Sequence, residues 1–212
     1  MTPKEMALLL AQALDSKKGK DIRVLETDSV TTLADYFVLC TGTSAPQLKA
    51  LADAGERAMK EAGILPSFYG LHVWNWGDRH RDIFLGPDRA KRISPLRSAL
   101  KRGILFSNHN DTFVTPIDPL LSVWSAVNRI TSSGQVLGEE YTISVMDALR
   151  SVTSWAAYQA CEETSKGSLE PGKLADFVIL EANPLTVAKE TIKDIGISAT
   201  IVGDEVVYGS LD

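Results

Sequence analysis

Three histidines, His72, His80 and His109, and two cysteines, Cys40 and Cys161, are the side chains of this 212-residue chain best suited to nucleophilic or metal chemistry. No two histidines stand as His-x-His, the spacing that would give a metal two ligands from one strand. His109 and Asp111 lie two apart in Asn108-His109-Asn110-Asp111, and on a strand they would share one face. Two ligands on one strand do not make a zinc site, which converges ligands from several elements. Read alone, Asp111 is equally a solvated loop aspartate or a helix cap, and His72 and His109 are equally satisfied polar residues. His80 sits within Asp78-Arg79-His80-Arg81-Asp82, which reads as a charged helix surface. The cysteines are too far apart for a disulfide framework or a cysteine-based zinc site. Cys40, inside the apolar run Tyr36–Thr41, reads as a core residue.

The elements that must position these groups follow from apolar periodicity. Residues 3–16 predict an amphipathic helix, with Pro3 at its start. Lys17, Lys18, Gly19 and Lys20 form a polar break. Residues 21–26 alternate as a half-buried strand does, and 36–41 form an apolar strand. Ser44 caps a helix over 46–62 that Gly63 stops. Residues 64–85 concentrate Phe68, Tyr69, Trp74, Trp76 and Phe84 with His72 and His80, the density of a site or an interface. Helical pieces follow around Pro95, then the strand 104–107 runs into His109. Asp118 followed by Pro119 starts a helix over 118–130, and Ser144 with Asp147 starts another over 144–160. Strands are expected at 176–180, 198–202 and 206–208, the last two joined as a hairpin at Gly203-Asp204. Asp176 reads as a turn residue.

Lys and Arg total 22 and Asp and Glu total 27, a net charge of −5 that excludes a chain-wide basic surface for DNA. Hydrophobic residues at 44% and charged residues at 23% fit a folded chain rather than a disordered one. The apolar run Met6–Leu10 is too short for a membrane span. A cytoplasmic protein without a membrane segment is expected.

Two resemblances follow from longer stretches. ALDSKKGKDIRVLE and TTLADYFVLCTGTSAPQLKALAD, within residues 11–61, resemble the ribosomal silencing factor (Iojap) family. The specific match is Ala34-Asp35-Tyr36-Phe37 followed by Thr41-Gly42-Thr43-Ser44, and it covers about the first half of such a domain. From about residue 65 the chain resembles the C-terminal part of metal-dependent amidohydrolases, through WGDRHRDIFLGPDRAKRISPLRSAL, HNDTFVTPIDPLLSVWSAVNR and GSLEPGKLADFVIL.

The fold implied is an α/β chimera. Residues 1–63 would be a partial silencing-factor unit. Residues 64–212 would hold the last two strands of a (β/α)8 barrel, over about 64–165, and β-sandwich strands over about 166–212. Residues 66–72 and 104–111 would be the two barrel strands, and the N-terminal strands 22–26 and 36–41 could pair with 66–72. The amidohydrolase resemblance implies metal-dependent hydrolysis of a non-peptide amide C–N bond. Asp111 would be general base and metal ligand, His72 and His109 would line the substrate pocket, and zinc would be the expected divalent metal. Most of that family's ligands have no counterpart here, so the chain by itself is expected to be inactive. The alternative reading is a ribosomal silencing factor that binds the large ribosomal subunit and blocks subunit joining, with Lys17, Lys18 and Lys20 either on a solvated turn or on ribosomal RNA. An inactive scaffold or a fusion artefact is the third.

Overall fold

Thr2 opens the first helix with a capping box: its hydroxyl accepts from the Glu5 amide at 3.3 Å, and the Glu5 carboxylate accepts from the Thr2 amide at 2.7 Å. The computed structural model describes residues 1–30 and 34–211. Thr31, Thr32 and Leu33 of the silencing-factor stretch, and Asp212 at the end of the expected second domain, lie outside the described residues. The chain forms two units, Met1–Leu65 and Pro66–Asp212. Among the described residues no helix is long and apolar enough to cross a membrane.

In the first unit α1 (Pro3–Asp15) is followed by β1 (Lys20–Glu26), β2 (Tyr36–Thr41) and α2 (Ala45–Glu61). The strands pair antiparallel, with Arg23 opposite Leu39 and Glu26 opposite Tyr36. Ser44 caps α2 by accepting from the Gln47 amide. Ala7 and Leu14 of α1 and Leu51 of α2 are buried, and α1 packs on α2 and on both strands. The pairing of these strands with residues 66–72 does not form: β1 and β2 make a two-stranded sheet of their own. One face of each strand is already half-covered within the unit.

The second unit starts with β3 (Ser67–Tyr69), α3 (His72–Arg79) and a π-helical turn at His80–Phe84. Two short helices, α4 (Pro87–Ala90) and α5 (Leu96–Lys101), lead to β4 (Ser107–His109). β3 and β4 are parallel, with Ser67 opposite Ser107, Phe68 opposite Asn108 and Tyr69 opposite His109. Both strands are shorter than expected. The first turns at Gly70 and the fully buried Leu71, so His72 begins a helix and does not end a strand. The second takes only Ser107 from the apolar run 104–107, and Asp111, with φ 54°, has left extended backbone altogether. His109 and Asp111 therefore do not share a strand face.

Asp118 accepts from the Leu121 amide at 2.9 Å and starts α6 (Pro119–Asn128), which is buried at every position from Ser122 to Asn128. The helix expected over 144–160 is two, α7 (Val145–Ser151) and α8 (Ser154–Gln159). The break falls at Thr153, whose hydroxyl donates back to the Leu149 carbonyl at 2.8 Å and whose backbone leaves the helical region. The C-terminal strands β5 (Phe177–Leu180), β6 (Ile197–Val202) and β7 (Glu205–Gly209) form an antiparallel sheet in that order. The Asp176 carboxylate accepts from the Gly203 amide at 2.9 Å, which makes the expected turn residue a cap on the hairpin 27 residues away.

The core gathers Phe106, Val123, Trp124, Val127, Ile143, Ala148 and Ile192. Phe106 meets Phe68 edge-on at 5.3 Å and Trp155 at 5.5 Å. Among the described residues one charged side chain is buried as well. Arg129, 1% exposed, follows α6 with φ 53°. Its Nε donates to the Leu137 carbonyl at 2.9 Å, Nη1 to Ser94 at 2.9 Å, and Nη2 to Lys91 at 3.0 Å and Ile93 at 2.8 Å. The Tyr141 ring lies 5.6 Å from the guanidinium carbon. Desolvation pushes its pKa down to about 10, so the group keeps its charge at neutral pH. Gly138 packs against one of these carbonyls so closely that an added Cβ would lie 2.2 Å from the Lys91 oxygen.

Replacing Arg129 by Met leaves those carbonyls without their donors. The expected cost is about 3–5 kcal/mol of unfolding free energy, read by urea denaturation followed by tryptophan fluorescence. A variant as stable as the parent would show that the guanidinium adds nothing net.

Candidate active site on the parallel strand pair

Register decides which side chains meet. Alternate residues of paired strands share a face, so Ser67 and Tyr69 of β3 join Ser107 and His109 of β4. Phe68 and Asn108 turn the other way: Phe68 packs on Phe106, and the Asn108 side-chain amide donates to the Ser151 hydroxyl at 2.9 Å. The Ser67 hydroxyl lies 2.8 Å from His109 Nδ1 and 2.9 Å from the Ser107 hydroxyl, which also reaches the Gln159 side-chain oxygen. Ser67 and His109 are exposed, while Ser107 is buried. The Gly70 amide donates to the His109 carbonyl at 3.0 Å and continues the ladder past Tyr69.

The Tyr69 ring lies between two histidines. It stacks on His72 at 5.5 Å and on His109 at 6.0 Å. Its hydroxyl accepts from the Asn75 side chain at 3.2 Å. His72 Nε2 faces His80 Nε2 at 2.8 Å, so one of the two carries a single shared proton. His80 is half-buried, packs edge-on against Phe84 at 5.7 Å, and keeps a buried Nδ1 with no partner. It is therefore not on the charged helix surface expected for it. That surface belongs to its neighbours: Arg81 pairs with Asp78 at 3.1 Å and Asp82 at 2.7 Å. The Ser94 hydroxyl donates to the Tyr69 carbonyl at 3.2 Å, and the Ser94 carbonyl is one that Arg129 holds.

Of the expected site residues, His72 and His109 flank one ring, and Asp111 stands two residues beyond β4 in an exposed left-handed turn. The Asp111 carbonyl accepts from the Val114 amide at 2.7 Å. Among the described residues no group of three His, Cys, Asp or Glu side chains could hold a metal ion. The Ser67 contact on His109 Nδ1 points the same way, since it occupies one of that ring's two nitrogens. The donors present do not fit a divalent metal. The sequence pattern missed Ser67, Ser107 and Ser94, because isolated serines carry no spacing signal and only the parallel register unites them.

Burial, then His80 and then Arg129, push the His72 pKa down from 6.5 to about 4. Between those values the unfolded chain binds a proton that the folded chain does not. His72 thus favours folding fully above about pH 6.5, and this contribution is lost as pH falls toward 4. The ring is partly open to solvent, so about 1–2 kcal/mol is expected after screening. Chemical denaturation across that range should show the loss in the parent and a smaller one in His72→Gln; equal slopes would refute it.

The sequence pattern of the amidohydrolase family matches residues 13–208, across both units. An N-substituted formamide deformylase of Arthrobacter pascens is 25% identical over 181 residues, 85% of this chain and 31% of that enzyme. The ribosomal silencing factor RsfS of Chromobacterium violaceum is 41% identical over 64 residues, 30% of this chain and 52% of that protein. A metal-dependent hydrolase of Pyrococcus horikoshii shares the fold with a TM-score of 0.52 at 21% identity, over 68% of this chain and 33% of that one. The chain thus spans under a third of the deformylase and about half of the silencing factor. With the family pattern running through the parallel pair, the buried helix α6 and the C-terminal sheet, this chain belongs to the amidohydrolase family.

Proposed function

We propose that this chain is a chimera: a partial silencing-factor-like unit over about 1–63, joined to the barrel end and sandwich strands of an amidohydrolase over about 64–212. The activity of the parent fold is hydrolysis of a non-peptide amide C–N bond in a small substrate. The observation that carries this reading is the parallel register of β3 and β4, with Asp111 just beyond the C-terminal end of β4, the end at which barrel enzymes do their chemistry. The name of the deformylase relative supports the amide class.

Each site residue has a part in this reading. Asp111 takes the proton of the attacking water, as general base, and in an intact parent fold is also one metal ligand. His72 and His109 line the substrate pocket on either side of Tyr69. The described residues supply no further ligand set, so the chain by itself does not hydrolyse amides. The purified chain, given zinc and a panel of N-substituted formamides, is expected to show no turnover above buffer. Turnover that disappears in Asp111→Asn would overturn the inactivity and leave the base assignment standing.

A second reading rests on the RsfS likeness. In it the first unit binds the large ribosomal subunit and represses translation in the cytoplasm. Co-sedimentation of the full chain with large subunits at moderate salt is its test. Pelleting that weakens when Lys17, Lys18 and Lys20 are changed together to Glu supports it, and absence of pelleting removes it.

A further inference from the structure

The geometry points to a second chemistry on the same strand pair: Ser67 and His109 form a metal-independent nucleophile–base dyad that takes activated acyl esters. The Ser67 hydroxyl and His109 Nδ1 are 2.8 Å apart, within the reach a general base needs. Neither depends on a flexible loop. Ser67 heads β3, His109 closes β4, and the register of the two parallel strands sets their separation. The stacked Tyr69 ring, 20° from coplanar with the imidazole, fixes the plane in which Nδ1 points. Both reactive groups are exposed, so an ester can reach them.

A third group sets the direction of the protons. The buried Ser107 hydroxyl lies between Ser67, at 2.9 Å, and the Gln159 side chain. Ser107 has one proton for two acceptors, and when that proton turns from the Gln159 oxygen to the Ser67 oxygen, the Ser67 proton is left for His109. This requires the imidazole to carry its own proton on Nε2. Ser107 touches no reacting atom and is a positioning residue.

The reaction closes on itself. The Ser67 oxygen attacks the ester carbonyl carbon while His109 Nδ1 takes the hydroxyl proton. The bond from that carbon to the alcohol oxygen breaks, and His109 returns the proton to the departing alkoxide. Water then attacks the acyl-serine, His109 takes one of its protons, and that proton restores the Ser67 hydroxyl as the carboxylic acid leaves. Esters are the fitting class because an alkoxide leaves more readily than an amide anion, and the dyad adds no metal to activate an amide.

The test uses the full chain in excess EDTA, which separates this dyad from metal-assisted amide hydrolysis at Asp111. A fluorophosphonate probe forms a phosphorus–oxygen bond with an activated serine and expels fluoride, and peptide mass spectrometry locates the adduct. The expected adduct is on Ser67, is absent in Ser67→Ala, and forms about 100-fold more slowly in His109→Asn. Ser67 is exposed, so its replacement leaves the fold as a working control, with circular dichroism as the check. Ser107→Ala is expected to slow labelling without moving its site. Absence of an adduct on the parent chain, or an adduct on another serine at equal rate in His109→Asn, overturns the proposal.

Discussion

The buried guanidinium of Arg129 is the constraint on which the second unit is built. A charge this deep persists only when its donors are used, and Arg129 spends them on the carbonyls of Lys91, Ile93, Ser94 and Leu137. Those carbonyls belong to two loops that would otherwise have to find other donors. One ion therefore ties the crossover between β3 and β4 to the segment after α6. Arg129 itself takes left-handed backbone where α6 ends. Gly138 leaves no room beside the Lys91 carbonyl, so the two loops meet at backbone distance.

That tie extends to the site. Arg129 fixes the Ser94 carbonyl, the Ser94 hydroxyl fixes the Tyr69 carbonyl, and Tyr69 stands between His72 and His109. A core ion thus orients a partly exposed ring cluster through Ser94 and Tyr69. The arrangement differs in kind from one in which ligands converge on an ion, because rings stacked face to face keep their nitrogens at the edges. Here those edges meet Ser67 and His80.

Much of this was legible in the sequence, and the limits have physical causes. Capping signals worked because they are local: Ser44, Asp118 and Ser144 each start the helix expected of them. The antiparallel pair β6–β7 was legible from Gly203-Asp204 for the same reason. Periodicity predicts one continuous helix over 144–160 because it does not register a hydroxyl turning back on its own backbone, as Thr153 does. The strand lengths around Tyr69 and His109 were overestimated because an apolar run marks burial, and Leu71 and Phe106 are buried outside the strands. The sequence pattern around His80 reads as charged surface because its neighbours set it, while its own ring turns inward onto His72. The serines of the site belong to no pattern at all.

The cap that Asp176 places on the terminal hairpin has a consequence for the order of assembly. β6 and β7 can close on hydrogen bonds between near neighbours in the chain, on the microsecond scale typical of hairpins. Their turn gains its carboxylate only when a residue 27 positions upstream arrives, and Asp176 is the residue just before β5. The entropy of that closure falls on the pairing of β5 with β6 and not on the hairpin. The last strand pair can thus be in place before the sheet is, with the capped turn recording that the third strand has docked.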